Sequence, residues 1–329
     1  MAHLQQQKHD MKTPAFWYKS SPTGLARLLW PLAQIYRIAS HCRRWGANPY
    51  HAKIPVICVG NIVAGGAGKT PVALNLAKML LTNGNNPVFV TRGYGGKEVG
   101  PLKVDLTRHT ARDVGDEALL LARFASVWVG RDRAAAIRAA EPHGSHIILD
   151  DGLQNPHISP NLTFLVIDGE TGLGNGQIIP SGPLRENFRD LIQRITAVIM
   201  IGKSDAHHLT SRIRCPILHA HWQPDLPTNF PSHQKFYAFA GIARPAKFYE
   251  TCQQSGIQLA GHEDFADHHF FTPNELLRLQ KTAQHQGARL LTTEKDWVRL
   301  SPEWQKKITA FPVTLVFNEV DALVRLLKH

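Results

Sequence analysis

Residues 60–71, Gly-Asn-Ile-Val-Ala-Gly-Gly-Ala-Gly-Lys-Thr-Pro, constrain the fold of this chain more than any other segment. An apolar run over 54–59 precedes them and reads as a buried strand, and a helical pattern over 72–81 follows. Strand, glycine-rich loop, Lys-Thr and helix, in that order, build a phosphate cradle. The glycines let backbone N–H groups turn toward an anion, and the helix N-terminus adds its dipole. Gly65, Gly66, Ala67, Gly68, Lys69 and Thr70 then line the phosphates, with Lys69 reaching the β- and γ-phosphates and the Thr70 hydroxyl on the Mg²⁺ side. Pro71 suits a first helical turn, where its missing N–H costs nothing. The loop carries Val63 where the strict G-x-x-x-x-G-K-[ST] pattern has glycine, and Ala64 where the K-G-G-x-G-K-[ST] variant has lysine. An ordinary glycine-rich turn is the competing interpretation, and Gly-Lys-Thr at a strand–helix junction disfavours it.

The formal charge of +11 suits an anionic partner such as nucleic acid, a phosphorylated substrate or an acidic membrane surface. It is unevenly spread. Residues 1–53 hold Lys8, Lys12, Lys19, Arg27, Arg37, Arg43, Arg44 and Lys53 against the single acid Asp10, together with Phe16, Trp17, Tyr18, Trp30, Tyr36 and Trp45. Within them, residues 24–45 predict an amphipathic helix with Leu25, Leu28, Leu29, Leu32, Ile35, Tyr36 and Ala39 on one face. Arg27, Gln34, Arg37, His41 and Arg44 fall on the other. Such a helix either lies in a membrane interface or docks its apolar face on its own domain. Cys42, Cys58, Cys215 and Cys252 form no C-x-x-C pair, which argues against a disulfide framework or zinc knuckle and fits a reducing compartment. The polar first fifteen residues lack a cleavable signal pattern, and no apolar run approaches the ~20 residues of a membrane span.

Beyond the loop, strand and helix patterns alternate. Strands are expected at 87–91, 126–129, 146–149, 162–168 and 197–201, with helices at 115–125 and after 131. This predicts an α/β fold of P-loop NTPase type, a doubly wound and mainly parallel sheet with ligands at the carboxyl ends of its strands. The polar, proline-rich stretch 221–235 reads as a domain boundary. The expected organisation is a basic amphipathic segment at 1–50, a nucleotide-binding domain at 51–230 and a smaller α/β domain at 231–329. The last contains strands 235–242, 259–265, 289–293 and 313–317, and helices 245–255, 272–286 and from about 321.

Several polar clusters fall at the inferred ligand edge. Asp150 and Asp151 close an apolar strand, the place where a P-loop enzyme keeps a carboxylate beside Mg²⁺. Adjacent strand residues point opposite ways, so spacing does not say which of the two faces the ion. Asp116 and Glu117 open a helix, where an acid is commonly a cap, and spacing alone favours that over a general base. Asp267-His268-His269 offers a proton-transfer group with a neighbouring carboxylate, or a metal-binding pair. Arg92, Arg131, Arg133, Arg185 and Arg189 are candidate phosphate contacts, each by itself more commonly a surface residue. Thr292-Thr293-Glu294-Lys295-Asp296 has the wrong order for an N-K-x-D guanine reader.

Taken together, the residues resemble the tetraacyldisaccharide 4'-kinase family, the lipid A 4'-kinases. The segments carrying the resemblance are VGNIVAGGAGKTP (59–71), TRGYGG (91–96), VGDEALLLA (114–122), GRDRAAA (130–136), ILDDGLQ (148–154), IPSGPLRE (179–186), FAGIARP (239–245), FADHHFF (265–271) and TTEKD (292–296). In this order, over most of the chain, they are highly specific, and the family's own loop has the G-N-x-x-x-G-G-x-G-K-T form. The resemblance implies ATP and Mg²⁺, and γ-phosphoryl transfer to the 4'-hydroxyl of tetraacyldisaccharide 1-phosphate at the cytoplasmic face of an inner membrane. It implies a cleft between the two domains and an N-terminal helix that engages an anionic membrane. Carried over residue by residue, it makes Lys69 the phosphate lysine and Asp116 the general base. Thr70, Glu117, Asp150 and Asp151 become the metal side, Asp267 with His268 an assisting dyad, and Arg185 a loop arginine near the phosphates. A monomer without a nucleic-acid partner is expected. The alternative is a partitioning or metal-insertion type switch ATPase, against which the absent signature lysine at Ala64 and the second domain both count.

Overall fold

The computed structural model describes residues 14–19, 21–203, 212–231 and 233–328. Lys8, Asp10 and Lys12 of the basic N-terminal segment lie outside the described residues.

Among the described residues, nine strands form one sheet in the order β13-β8-β7-β6-β1-β5-β2-β4-β3. Its centre is β1 (Val56–Gly60), flanked by β5 (His146–Asp150) and β6 (Leu162–Asp168), with β2 (Pro87–Thr91) beyond β5 and β7 (Ala197–Ile201) beyond β6. These pairs, with β2 to β4 (Val127–Val129) and β7 to β8 (Ile217–Pro224), are parallel. Only the edges reverse: β3 (Leu102–Lys103) on β4, and β13 (Val313–Phe317) on β8. The central strands are continuous apolar runs because both sheet faces are covered. Ile57, Val59, Phe89, Ile148 and Phe164 pack on Val72, Ala73 and Leu76 of α2 (Lys69–Thr82). On the other face Val56, Cys58, Val88 and Leu149 pack with Ala136 and Ile137 of helix Arg133–Ala140, and with Phe188 and Leu191.

A second sheet of four parallel strands has the order β10-β9-β11-β12, built from β9 (Phe236–Ala240), β10 (Leu259–Asp264), β11 (Arg289–Thr293) and β12 (Thr309–Phe311). Helices Pro245–Gln254 and Pro273–His285 cover it.

Two expectations need correction. Residues 221–224 belong to β8 rather than to a linker, and β13 with helix Val320–Leu327 belongs to the large sheet rather than to the smaller unit. The reason is an exposed edge: β13 satisfies the outer hydrogen bonds of β8, and Leu315, Phe317 and Leu323 close the end of the core beside Leu218 and Ala220.

The predicted N-terminal helix is α1 (Gly24–Trp45), capped by Thr23 and running through Pro31. Its orientation inverts that of a docked amphipathic helix. Ala26 and Ala33 are buried, and Ser181 Oγ donates to the Ala26 carbonyl at 2.6 Å. Leu28, Ile35 and Trp45 are 74%, 64% and 88% exposed. Its basic end is fixed by Arg44, whose guanidinium donates to buried Glu186 at 2.6 Å.

Candidate active site

The parallel order puts the carboxyl ends of β1, β5 and β6 on one edge, and the glycine loop leaves β1 there. Gly65 and Gly68 turn at φ +122° and +85°. At Gly68 a Cβ would also lie 2.6 Å from Ile201 Cδ1, so the last residue before Lys69 has to be glycine. Asn61 Nδ2 donates to the carbonyls of Val63 and Gly65 at 2.7 and 3.1 Å, which bends the loop over itself. From outside, Ala64 N donates to Pro183 O and Arg185 N to Ile62 O, both at 2.8 Å. Gln154 Nε2 donates to Asn61 O at 3.0 Å. The tip at Gly65 and Gly66 is exposed.

Thr70 and Asp150 form the floor, with the threonine hydroxyl donating to Asp150 Oδ2 at 2.9 Å. Asp150 Oδ1 is buried without a hydrogen-bond partner. Burial, then the nearby Glu117 charge, pushes this carboxyl up to about 7 despite the opposing pull of Lys69. A buried carboxyl oxygen without a partner, beside a hydroxyl, fits a cation. Among the described residues no three His, Cys, Asp or Glu side chains converge on one point.

Asp151 points elsewhere. Held at φ +59°, it faces Arg185 Nη1, 3.2 Å from both carboxylate oxygens, and Lys69 Nζ at 3.9 Å. Of the candidate arginines, Arg185 is the one that contacts a carboxylate of this pair. Arg133 is buried and donates to the carbonyls of Gly130 and Asp151 at 3.1 and 3.4 Å. Arg92, Arg131 and Arg189 are exposed. Arg131 and Arg133 border a cleft of about 530 Å³ with Tyr50, His51, Arg138 and His157.

Asp116 follows Gly115, whose φ of +86° sets the entry to helix Asp116–Ala122. It is 4% exposed and accepts from its own side and from the second sheet. Oδ1 takes the Glu117 N–H at 3.0 Å; Oδ2 takes Arg299 Nε and Nη2 at 2.9 and 2.5 Å and lies 3.0 Å from His268 Nδ1. Burial alone would raise this carboxyl, but the His268 hydrogen bond and the charges of Lys295 and Arg299 outweigh it. They hold it well below the usual carboxylate range.

His268 sits at φ +60°, its N–H donating to Gly241 O at 3.0 Å. The expected partner of its ring, Asp267, is 3.8 Å from Nε2, whereas Nδ1 is taken by Asp116. Lys295 Nζ lies 3.1 Å from His268 Nε2, 3.7 Å from Asp267 and 3.9 Å from Glu117. His269 turns away to Glu275 at 3.2 Å, so the two histidines form no metal pair.

Arg299 and Lys295 were not anticipated from spacing. Lys295 had a signal, its place in TTEKD; Arg299 is a lone arginine outside every recognised segment. Asp296 of the same segment is fully buried, accepting from Gly241 N at 3.0 Å.

The family profile described as tetraacyldisaccharide-1-P 4'-kinase matches residues 25–329. The tetraacyldisaccharide 4'-kinase of Parvibaculum lavamentivorans is 46% identical over 299 residues, 88% of this chain and 87% of that protein. The Rhodospirillum centenum protein of the same description is 45% identical, covering 96% of each chain. The crystal structure of LpxK from Aquifex aeolicus in complex with ATP superposes with a TM-score of 0.74 at 23% identity, over 92% of this chain and 98% of that one. With its profile match and these full-length relatives, the chain belongs to the tetraacyldisaccharide 4'-kinase family.

Proposed function

We propose that this protein transfers the γ-phosphate of ATP to the 4'-hydroxyl of tetraacyldisaccharide 1-phosphate, forming lipid IVA. The observation that carries the reading is the junction of two half-sites. A phosphate loop with its Thr70–Asp150 floor stands on the large sheet, and the Asp116–His268 pair spans large and small sheets. The switch-ATPase alternative is not favoured, because the family match extends across both sheets.

In this reading residues 65–70 hold the triphosphate, and Lys69 and Arg185 neutralise it, exchanging their present contact with Asp151 for phosphate oxygens. Mg²⁺, when bound, neutralises charge on the phosphate oxygens. Asp150 and the Thr70 hydroxyl would hold it, with Glu117 and Asp151 nearby. Asp116 and His268 act as one proton-accepting unit toward the 4'-hydroxyl. Asp116 is enclosed and fixes the ring through Nδ1, and His268 is the more exposed member of the pair. Phosphoryl transfer asks little covalent work of the protein, so this positioning and charge placement are its contribution.

The two sheets serve as the two domains of the kinase, with α1 as a third, membrane-facing element. The described residues contain no helix long and apolar enough to cross a bilayer. A helix that docks by alanines and turns leucine, isoleucine and tryptophan outward, with arginines near its end, suits peripheral attachment to an anionic inner-membrane surface as a monomer.

The test is transfer of ³²P from γ-labelled ATP to tetraacyldisaccharide 1-phosphate in detergent micelles, with Lys69→Ala as control. Labelled lipid from the wild type alone is the expected result. Phosphate release without labelled lipid would overturn it.

A further inference from the structure

The geometry points to Arg299 as a positioning residue for this reaction: a guanidinium of the small sheet's unit that holds the Asp116 carboxylate in the orientation His268 requires. The inference rests on the assignment of Asp116 and His268 to proton transfer. Arg299 follows the short helix Glu294–Trp297, and its side chain is wholly excluded from solvent.

One nitrogen of the fork is anchored within its own unit. Nη1 donates to Asp296 Oδ1 at 2.7 Å and to the Gly241 carbonyl at 3.1 Å. Asp296 is itself fixed, its Oδ2 accepting from Gly241 N at 3.0 Å and from the Thr293 hydroxyl at 2.7 Å. The other two nitrogens, Nε and Nη2, cross to the large sheet's unit and both end on Asp116 Oδ2. A planar fork anchored on one side and aimed on the other imposes a direction that a single ammonium does not.

The same Gly241 carbonyl accepts the backbone N–H of His268 at 3.0 Å, sustaining that residue's φ of +60°. Arg299 and His268 are therefore registered to one peptide group, and they converge on one carboxylate oxygen. A side chain at Gly241 would be tight, its Cβ 3.1 Å from Asp296 Oδ1 and 3.2 Å from His269 Cβ. Remove the fork, and Asp116 keeps the Glu117 N–H and the His268 ring but loses the contacts that fix its torsion. The ring then follows the carboxylate. Arg299 is placed to act on the acceptor hydroxyl only through Asp116 and His268, which distinguishes it from Lys295, directly beside His268 Nε2.

The experiment is a double-mutant cycle on the full chain, with kcat and the KM for ATP measured in the micellar transfer assay. Arg299→Lys keeps the charge and loses the fork; Arg299→Gln serves where Lys does not fold, and thermal melting and ATP binding monitor integrity. Arg299→Lys is expected to lower kcat about tenfold or more with the KM for ATP within about twofold. In an Asp116→Asn background the same change is expected to cost less than about twofold, because the group it acts through is already disabled. Unchanged kcat, a loss that multiplies with that of Asp116→Asn, or a fall in kcat that merely tracks melting temperature and ATP binding would each overturn the inference. Wild-type turnover in Asp116→Asn alone would instead remove the proton-transfer assignment on which it rests.

Discussion

Thr70 and Asp150, eighty residues apart in the chain, meet in a buried hydrogen bond of 2.9 Å. The contact joins the first turn of α2 to the end of β5, and it leaves the second Asp150 oxygen without a partner. Thr70→Ala should therefore raise the Mg²⁺ concentration needed for half-maximal transfer by about tenfold or more, while Thr70→Ser stays near wild type. A Mg²⁺ titration of initial rates reads the difference.

Asp116 and Asp267 both neighbour His268, at 3.0 Å from Nδ1 and 3.8 Å from Nε2. Asp116→Asn is expected to lower kcat by ~10²-fold or more, with ATP binding retained. Asp267→Asn, farther and half-exposed, should cost clearly less. Equal losses would return Asp267 to the role of the ring's main partner.

Asp116 also carries a pH signature in stability. Its folded pKa is depressed relative to the unfolded ~3.9, so its contribution is present above that value. That contribution is lost as pH falls through the folded value. Urea unfolding should show the wild type ahead of Asp116→Asn by the widest margin near neutral pH, with the gap narrowing at about pH 3.

Gly115 precedes Asp116 at φ +86°, and a Cβ there would sit 2.4 Å from the Tyr94 carbonyl oxygen. Gly115→Ala combines a disfavoured dihedral with a backbone collision. A loss of about 2 kcal/mol or more in urea unfolding is expected, with reduced kcat because Asp116 moves with it.

Leu28 and Ile35 are exposed on α1 and make no part of the core. Leu28→Glu with Ile35→Glu should lower partitioning onto phosphatidylglycerol vesicles by about tenfold or more, since each apolar side chain contributes ~1.5–3 kcal/mol on burial. Melting temperature and transfer in detergent should be unaffected. Vesicle sedimentation with the wild type alongside decides it.

Much of this was legible in the sequence because it is local. The strand, loop and helix around Lys69 are contiguous, and the apolar runs of β1, β2, β5, β6 and β7 need both faces covered, which fixes a parallel doubly wound sheet. The acids at strand ends follow from that. What spacing did not carry is long-range pairing. Nothing local shows that Asp150, the last residue of β5, meets Thr70 while Asp151 turns away at φ +59°, and nothing near Arg299 marks the carboxylate it meets 183 residues away. The strand over 313–317 is visible as a strand, but its place beside β8 depends on an edge that only the assembled sheet exposes. A helix over 24–45 was legible from the sequence pattern, but the docking face was not, because the buried residues are Ala26 and Ala33 rather than the larger apolar side chains.

The return of β13 to the large sheet has a mechanical consequence. The smaller unit is an insertion, entered after β8 and left before β13, and those two strands are neighbours paired antiparallel from Val313 with Pro224 to Phe317 with Ala220. Both tethers therefore leave from the same strand pair, like the two leaves of one hinge pin. A rigid-body movement of the smaller unit relative to the large sheet would have to pivot about that edge. A truncation made after residue 231 would remove more than the smaller unit, because it would also strip β8 of its partner.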